Sequence, residues 1–197
     1  MIRKVAPAFV LYGLPFGLAA IGYWMLFSNL ALYDDEGYIL LSAREYFAHG
    51  GLYESVYSQY GPAFFTLTDA FQRAIGGPVD HTSARLLTLG LWLGTAAACA
   101  ALVRQQTGSR GLAAFTLTAT FLYLYFLPDE PFHPGASILF ILALSLYGIG
   151  ALVRRERWSA AAIVAGAAGA ILVLTKINVG IFYIAGAGGW ALVHASS

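Results

Sequence analysis

Charge is what this sequence has least of. Only 11% of its 197 residues are Asp, Glu, Lys or Arg, whereas a soluble domain carries roughly 25%. A water-facing surface cannot be built from so few. Cysteine is nearly absent too: Cys99 stands alone, which excludes an intramolecular disulfide and leaves no Cys-based metal site to argue from. Neither sign of charge is in excess, the net charge being +1, so nothing calls for a nucleic-acid partner, which a basic patch would attract. No glycine-rich nucleotide cradle is present, and no nucleotide cofactor is expected. The glycines are mostly scattered through apolar stretches, where close helix packing accounts for them.

What is abundant is apolar sequence, 59% of the chain, and it falls into blocks. About 20 residues of helix cross a hydrocarbon core about 30 Å thick. Six blocks can be read: Phe9 to Leu32, Thr82 to Val103, Gly111 to Leu127, Ala136 to Val153, Ser159 to Thr175 and Val179 to Val193. The expected fold is therefore all-α, a polytopic transmembrane helical bundle of about six membrane segments, with residues 1–197 as one transmembrane module. The fifth block is rich in Ala and Gly, which lets helix backbones approach closely in lipid. The sixth is short, a partial span or the place where a longer protein is cut. The first is longer than a signal-peptide core and no Ala-x-Ala-like site follows it, so it reads as a retained anchor.

Orientation follows from the loops. Arg3 and Lys4, then Arg104 and Arg110, then Arg154, Arg155 and Arg157 all fall on one side of such a bundle, and positive residues stay cytoplasmic. The other side receives residues 33–81, with Asp34, Asp35, Glu36, Glu45, Glu54, Asp69 and Asp80 against Arg44 and Arg73. This is the signature of a bacterial inner-membrane protein with its site facing the periplasm; a lumenal site in the endoplasmic reticulum would leave the same one.

The outer segment is too patterned for a linker. Asp34 or Asp35 can cap a helix from about Glu36 to Ala48, ended by Gly50 and Gly51. Gly61 and Pro62 then open a second helix, in which Phe64, Leu67, Thr68, Phe71 and Ile75 share a face and Asp69, Gln72 and Arg73 lie elsewhere. An amphipathic helix of this kind can lie in the membrane interface, and Tyr53, Tyr57 and Tyr60 stand where aromatic rings meet headgroups.

Three features could carry chemistry. Asp34, Asp35 and Glu36 follow a span directly; one carboxylate is enough for a helix cap, and the same free backbone N–H groups would keep a second one ionised as a general base or metal ligand. Asp129, Glu130 and His133 lie among prolines in the loop expected on the same face; the bland account is a tight turn with solvated carboxylates. Lys176 interrupts two apolar blocks just before Asn178. Such a cation is a functional candidate, although snorkelling to the headgroups would also explain it. Together they suit an anionic lipid substrate, with a cation on its phosphate and a carboxylate taking a proton from an incoming hydroxyl.

In the order of these elements the sequence resembles the GT-C superfamily of membrane glycosyltransferases, especially the branch of protein O-mannosyltransferases and the aminoarabinose transferase of lipid A. The resemblance lies in Asp34-Asp35-Glu36-Gly37-Tyr38, Ala43-Arg44-Glu45, Tyr60-Gly61-Pro62, the loop Asp129 to Gly135, and Lys176-Ile177-Asn178-Val179-Gly180. It implies a sugar transferred from a polyprenyl-phosphate donor to a hydroxyl on a lipid, glycan or protein acceptor. Asp35 or Asp34 would be the catalytic base, and Lys176 would contact the donor phosphate. Glu36, Tyr60, Asp129, Glu130, His133 and Asn178 would line the substrate site. A divalent cation, Mg²⁺ or Mn²⁺, held by Asp35, Asp129 and Glu130 is compatible with it. The chain lacks the later spans and C-terminal domain of such enzymes and on this resemblance is their N-terminal portion. Two rival functions are a flippase of lipid-linked sugars and a non-catalytic membrane assembly subunit.

Overall fold

The computed structural model describes residues 2–28, 35–54, 56–126 and 131–195, with side chains from residue 13 to 193 within those ranges. Asp34, Asp129 and Glu130 lie outside the described residues.

The described chain is helical throughout, with no β-strand among the described residues. Its elements are α1 (Ile2–Ser28), α2 (Asp35–His49), α3 (Pro62–Ile75), α4 (His81–Thr107), α5 (Arg110–Phe126), α6 (Pro134–Val153), α7 (Trp158–Thr175) and α8 (Ile177–Ala195). Three helices, α4, α6 and α7, are long and apolar enough to cross a membrane, and Gly13–Ser28 and Ile177–Val193 are shorter apolar helices. Large apolar side chains such as Phe16, Phe115, Ile163 and Phe182 stay exposed, while Thr88, Thr95, Ser137 and Thr175 are buried. Apolar exposure on this scale marks a lipid-facing or partner-facing surface.

Helix α4 is the hub, packing against α1, α2, α3, α5 and α6; α6, α7 and α8 follow in series. The core runs from Leu18 and Leu26 of α1, past Leu87, Leu91 and Trp92 of α4 and Phe121 of α5, to Ile39, Leu40, Phe64 and Phe65 under α2 and α3. The hydroxyl of Thr95 donates to the Leu91 carbonyl four residues back, which satisfies it without a partner from another helix.

The two short helices begin and end where their residues dictate. Helix α3 has Gly61 at its cap and Pro62 at its first position, and Gly76 ends it at φ 66°, in the left-handed region that glycine enters without penalty. The inward face of α3 differs from the expected one. Phe64, Phe65, Thr68 and Gln72 are buried, whereas Ile75 is 46% exposed. The reason is α4: the Gln72 Nε2 donates to Ser83 Oγ at 2.8 Å, so a polar residue turns inward to serve the start of another helix.

Helices α7 and α8 form a tight antiparallel hairpin whose bend is a single residue, Lys176, in extended conformation at φ −154° and ψ 107°. Trp158 stacks on Trp190 at 6.0 Å at the far end. At the near end Gly180 lies so close to the backbone of Val173 that a Cβ there would collide with it.

Candidate functional site at one end of the bundle

The first turn of α2 is pinned from below. Glu36 is 2% exposed, and its carboxylate receives Nε of Arg85 at 2.9 Å and a terminal nitrogen at 2.8 Å. The other terminal nitrogen of Arg85 donates to the Leu26 carbonyl at 2.7 Å, so one guanidinium ties together α1, α2 and α4. The exposed His81 brings Nδ1 to 3.3 Å from the same carboxylate. A bidentate fork of this kind fixes geometry as well as charge. Glu36 therefore anchors the helix, and its neighbour Asp35, exposed at the first position of α2, is held where that anchor puts it.

Asp35 and Tyr38 are three residues apart and so share a helix face. The Tyr38 hydroxyl donates to the Tyr57 carbonyl at 2.9 Å, and the Tyr53 hydroxyl donates to the Tyr60 carbonyl at 3.2 Å. The first bond lashes the tyrosine-bearing loop to the start of α2, and the second closes the loop on itself. Tyr53 itself sits at φ 74°, an uncommon conformation for a side-chain-bearing residue.

Tyr60 is the meeting point. Its hydroxyl lies 2.8 Å from His133 Nε2. His133 caps α6, its Nδ1 accepting the Gly135 N–H at 3.0 Å. Because that nitrogen accepts, the neutral ring carries its proton on Nε2 and donates it to Tyr60, leaving the phenol proton for a different acceptor. The Lys176 Nζ stands over the Tyr60 ring, 5.5 Å from its centroid, in cation–π range. The Gly61 N–H donates to the Thr175 carbonyl at 2.9 Å, and a Cβ at Gly61 would strike the Leu174 carbonyl. Only glycine lets the loop lie so close to the end of α7.

Phe132 completes the frame. It is 1% exposed and packs on Phe64 at 5.4 Å, while the Thr88 hydroxyl donates to the Pro131 carbonyl. The loop leading into His133 is thus held on α3 and α4. Of the sequence candidates, Tyr60, His133 and Lys176 come together and Asp35 stands at the start of the helix joined to their loop. Glu36 is engaged by Arg85, and Asn178 is exposed, its side-chain oxygen accepting from the Val179 N–H at 2.9 Å.

Among the described residues no three His, Cys, Asp or Glu side chains gather as a metal-binding group; of the three suggested ligands, only Asp35 is described. Arg85 escaped the sequence reading because it lies within an apolar block, yet a single cation in the first turn of a span was a usable signal for a buried carboxylate partner.

The opposite end of α4, α5 and α6 is built from different residues. There a cavity of about 1010 Å³ opens between the helices, with Arg104, Arg110, Arg154 and Arg155 in its lining. Along α4, Arg85 and Arg104 are 19 residues apart, or about 28 Å at helical rise.

Compared with known proteins, the chain matches no family model, no curated protein and no solved structure.

Proposed function

We propose that the chain is a multi-pass membrane glycosyltransferase module that moves a sugar from a polyprenyl-phosphate donor to a hydroxyl acceptor on the extracytoplasmic face, with six membrane segments. The observation that carries this reading is the convergence of Tyr60, His133 and Lys176, from three distant parts of the sequence, beside the helix that begins at Asp35. The separation of about 28 Å between the two charged ends of α4 supports the membrane placement, since it is close to the thickness of a hydrocarbon core. What supports sugar transfer as the chemistry is the motif order shared with the GT-C enzymes.

In this reading Lys176 meets the donor phosphate. Asp35, or Asp34 beside it, takes the proton of the acceptor hydroxyl as that oxygen attacks the anomeric carbon. The bond from that carbon to the phosphate oxygen breaks, and the polyprenyl phosphate leaves with the electron pair, its charge matched by Lys176. Attack opposite the leaving group inverts the anomeric centre. Tyr60 and His133 position the lysine and the loop.

The test is transfer of a radiolabelled sugar from polyprenyl phosphate by membranes containing the full chain, wild type beside Asp34→Asn, Asp35→Asn and Lys176→Ala. Loss of transfer in one carboxylate variant, with donor still bound, identifies the base. A wild type that binds donor and moves it across vesicles without transferring sugar to any acceptor would replace this reading with that of a flippase.

A further inference from the structure

The arginine-rich end of the bundle has a construction that topology alone does not require. Positive residues at the cytoplasmic ends of spans explain four arginines; they do not explain the cavity of about 1010 Å³ that these arginines line. Leu14 and Pro15 of α1 form one side of it, and each of α4, α5 and α6 enters it with a cation at its end and a small residue one turn further in. Arg104 lies in the last turn of α4, with Ala101 within a turn of it; Arg110 opens α5, with Ala114 four residues on; Arg155 follows α6, with Ala151 four residues before it.

Among the described residues none of the four arginines forms an ion pair with a carboxylate, Glu156 in the adjoining turn included. One terminal nitrogen of Arg154 donates to the Gln105 carbonyl, and Arg154 is part of the cavity lining. The Gln105 side-chain oxygen is buried without a hydrogen-bond partner. Besides the arginines the lining is mostly alanine, with Leu14, Leu117, Tyr147 and Gln105 among it.

We infer that this cavity binds an anionic phospholipid, its phosphate on the arginines and the upper part of an acyl chain between the alanine faces of α4 and α5. Charge complementarity at the rim selects the headgroup, and the apolar depth selects a lipid over free phosphate. Basic pockets between membrane helices hold acidic headgroups on the same principle. This inference rests on the membrane reading of the chain and is independent of sugar transfer.

The test uses the full chain purified in neutral detergent and native mass spectrometry with phosphatidylglycerol, phosphatidylcholine of the same acyl composition, or inorganic phosphate. Phosphatidylglycerol should be retained about tenfold over phosphatidylcholine, and Arg104→Gln with Arg154→Gln should bring the two lipids within about twofold of each other. Ala114→Leu, which narrows the cavity at the α5 wall and keeps every charge, should reduce phosphatidylglycerol retention on its own. Arg110→Gln, at an exposed helix start, stands in if the double variant does not fold. Equal retention of the two lipids, unchanged preference in the arginine variants, or displacement of lipid by inorganic phosphate would overturn the site. Recovery of the chain in the soluble fraction without detergent would overturn the membrane reading with it, so the two failures are distinguishable.

Discussion

Arg85 and Glu36, 49 residues apart in the sequence, are joined by two hydrogen bonds of 2.9 and 2.8 Å between guanidinium and carboxylate. With the carboxylate 2% exposed, removal of Arg85 leaves a buried charge with only the exposed His81 beside it. Arg85→Ala should lower unfolding free energy by about 3–5 kcal/mol. Arg85→Lys keeps the charge without the planar fork and should fall between alanine and wild type. Replacing both, as Glu36→Leu with Arg85→Met, should recover most of the loss because no orphan charge remains. Equilibrium unfolding in micelles measures all three; a cost for Arg85→Ala within experimental error would show that the pair does not hold α2 in place.

Two glycines in different surroundings should respond in opposite directions. Gly61 lies against the Leu174 carbonyl and donates to Thr175, so Gly61→Ala must push the loop off α7, at a cost of about 1–3 kcal/mol. Gly90, within α4, has nothing within 4 Å of an added Cβ. Gly90→Ala should therefore be neutral or stabilising by up to about 1 kcal/mol through helix propensity. Unfolding midpoints of the two variants, measured side by side, check the pair of signs.

Local chemistry was legible in the sequence and long-range pairing was not. A Gly-Pro start and the two glycines after Ala48 mark backbone preferences that operate within a few residues, and α2 ends at His49 and α3 begins at Pro62, each within one residue of those marks. Lys176 likewise announced a break between apolar blocks. The partner of Glu36 could not be read because periodicity carries no information about a residue 49 positions away. Gln72 was assigned outward for its polarity, although its amide serves Ser83 at the head of α4. The arginines were legible as a topological signal, and only the packing of α4, α5 and α6 shows that they surround a cavity. Of the acidic candidates, Asp34, Asp129 and Glu130 fall outside the described residues.

Asp80 offers a pH-dependent test. It caps α4, its carboxylate accepting the Ser83 N–H at 2.8 Å while Ser83 Oγ receives the Asp80 N–H at 3.0 Å. The Ser83 backbone bond, and then lesser contributions from the Ser83 hydroxyl, the Thr82 backbone and the Arg44 charge, hold its carboxyl below the usual range. A lowered native value means that the unfolded chain binds the proton more readily. The contribution is thus complete above the ordinary carboxylate range and is lost as pH falls through the native value. Asp80→Ala should cost about 1 kcal/mol at neutral pH and Asp80→Asn less, since asparagine also caps. The gap between wild type and Asp80→Ala should close on acidification, as followed by helical ellipticity in acid titrations.

The Tyr60 ring and its hydroxyl do separate jobs, and substitution can divide them. Phenylalanine keeps the face under Lys176, 5.5 Å away, and loses the hydroxyl with its contact to His133; alanine loses both ring and hydroxyl. If the ring sets where the Lys176 ammonium points, Tyr60→Ala should weaken binding of a polyprenyl-phosphate donor by about 2- to 30-fold, the range corresponding to a cation–π contact of about 0.5–2 kcal/mol. Tyr60→Phe should weaken it by less than about threefold if the hydroxyl makes no contact with the donor. His133 separates in the same way. His133→Asn can still cap α6 through its side-chain oxygen and should retain stability, whereas His133→Ala should lose about 1 kcal/mol of it; neither carries a partner for the Tyr60 hydroxyl equivalent to Nε2. Donor titrations on the four variants, beside their unfolding curves, decide between positioning and packing. Should Tyr60→Phe bind donor as poorly as Tyr60→Ala, with both folded, the hydroxyl itself meets the donor and the cation–π contact is incidental.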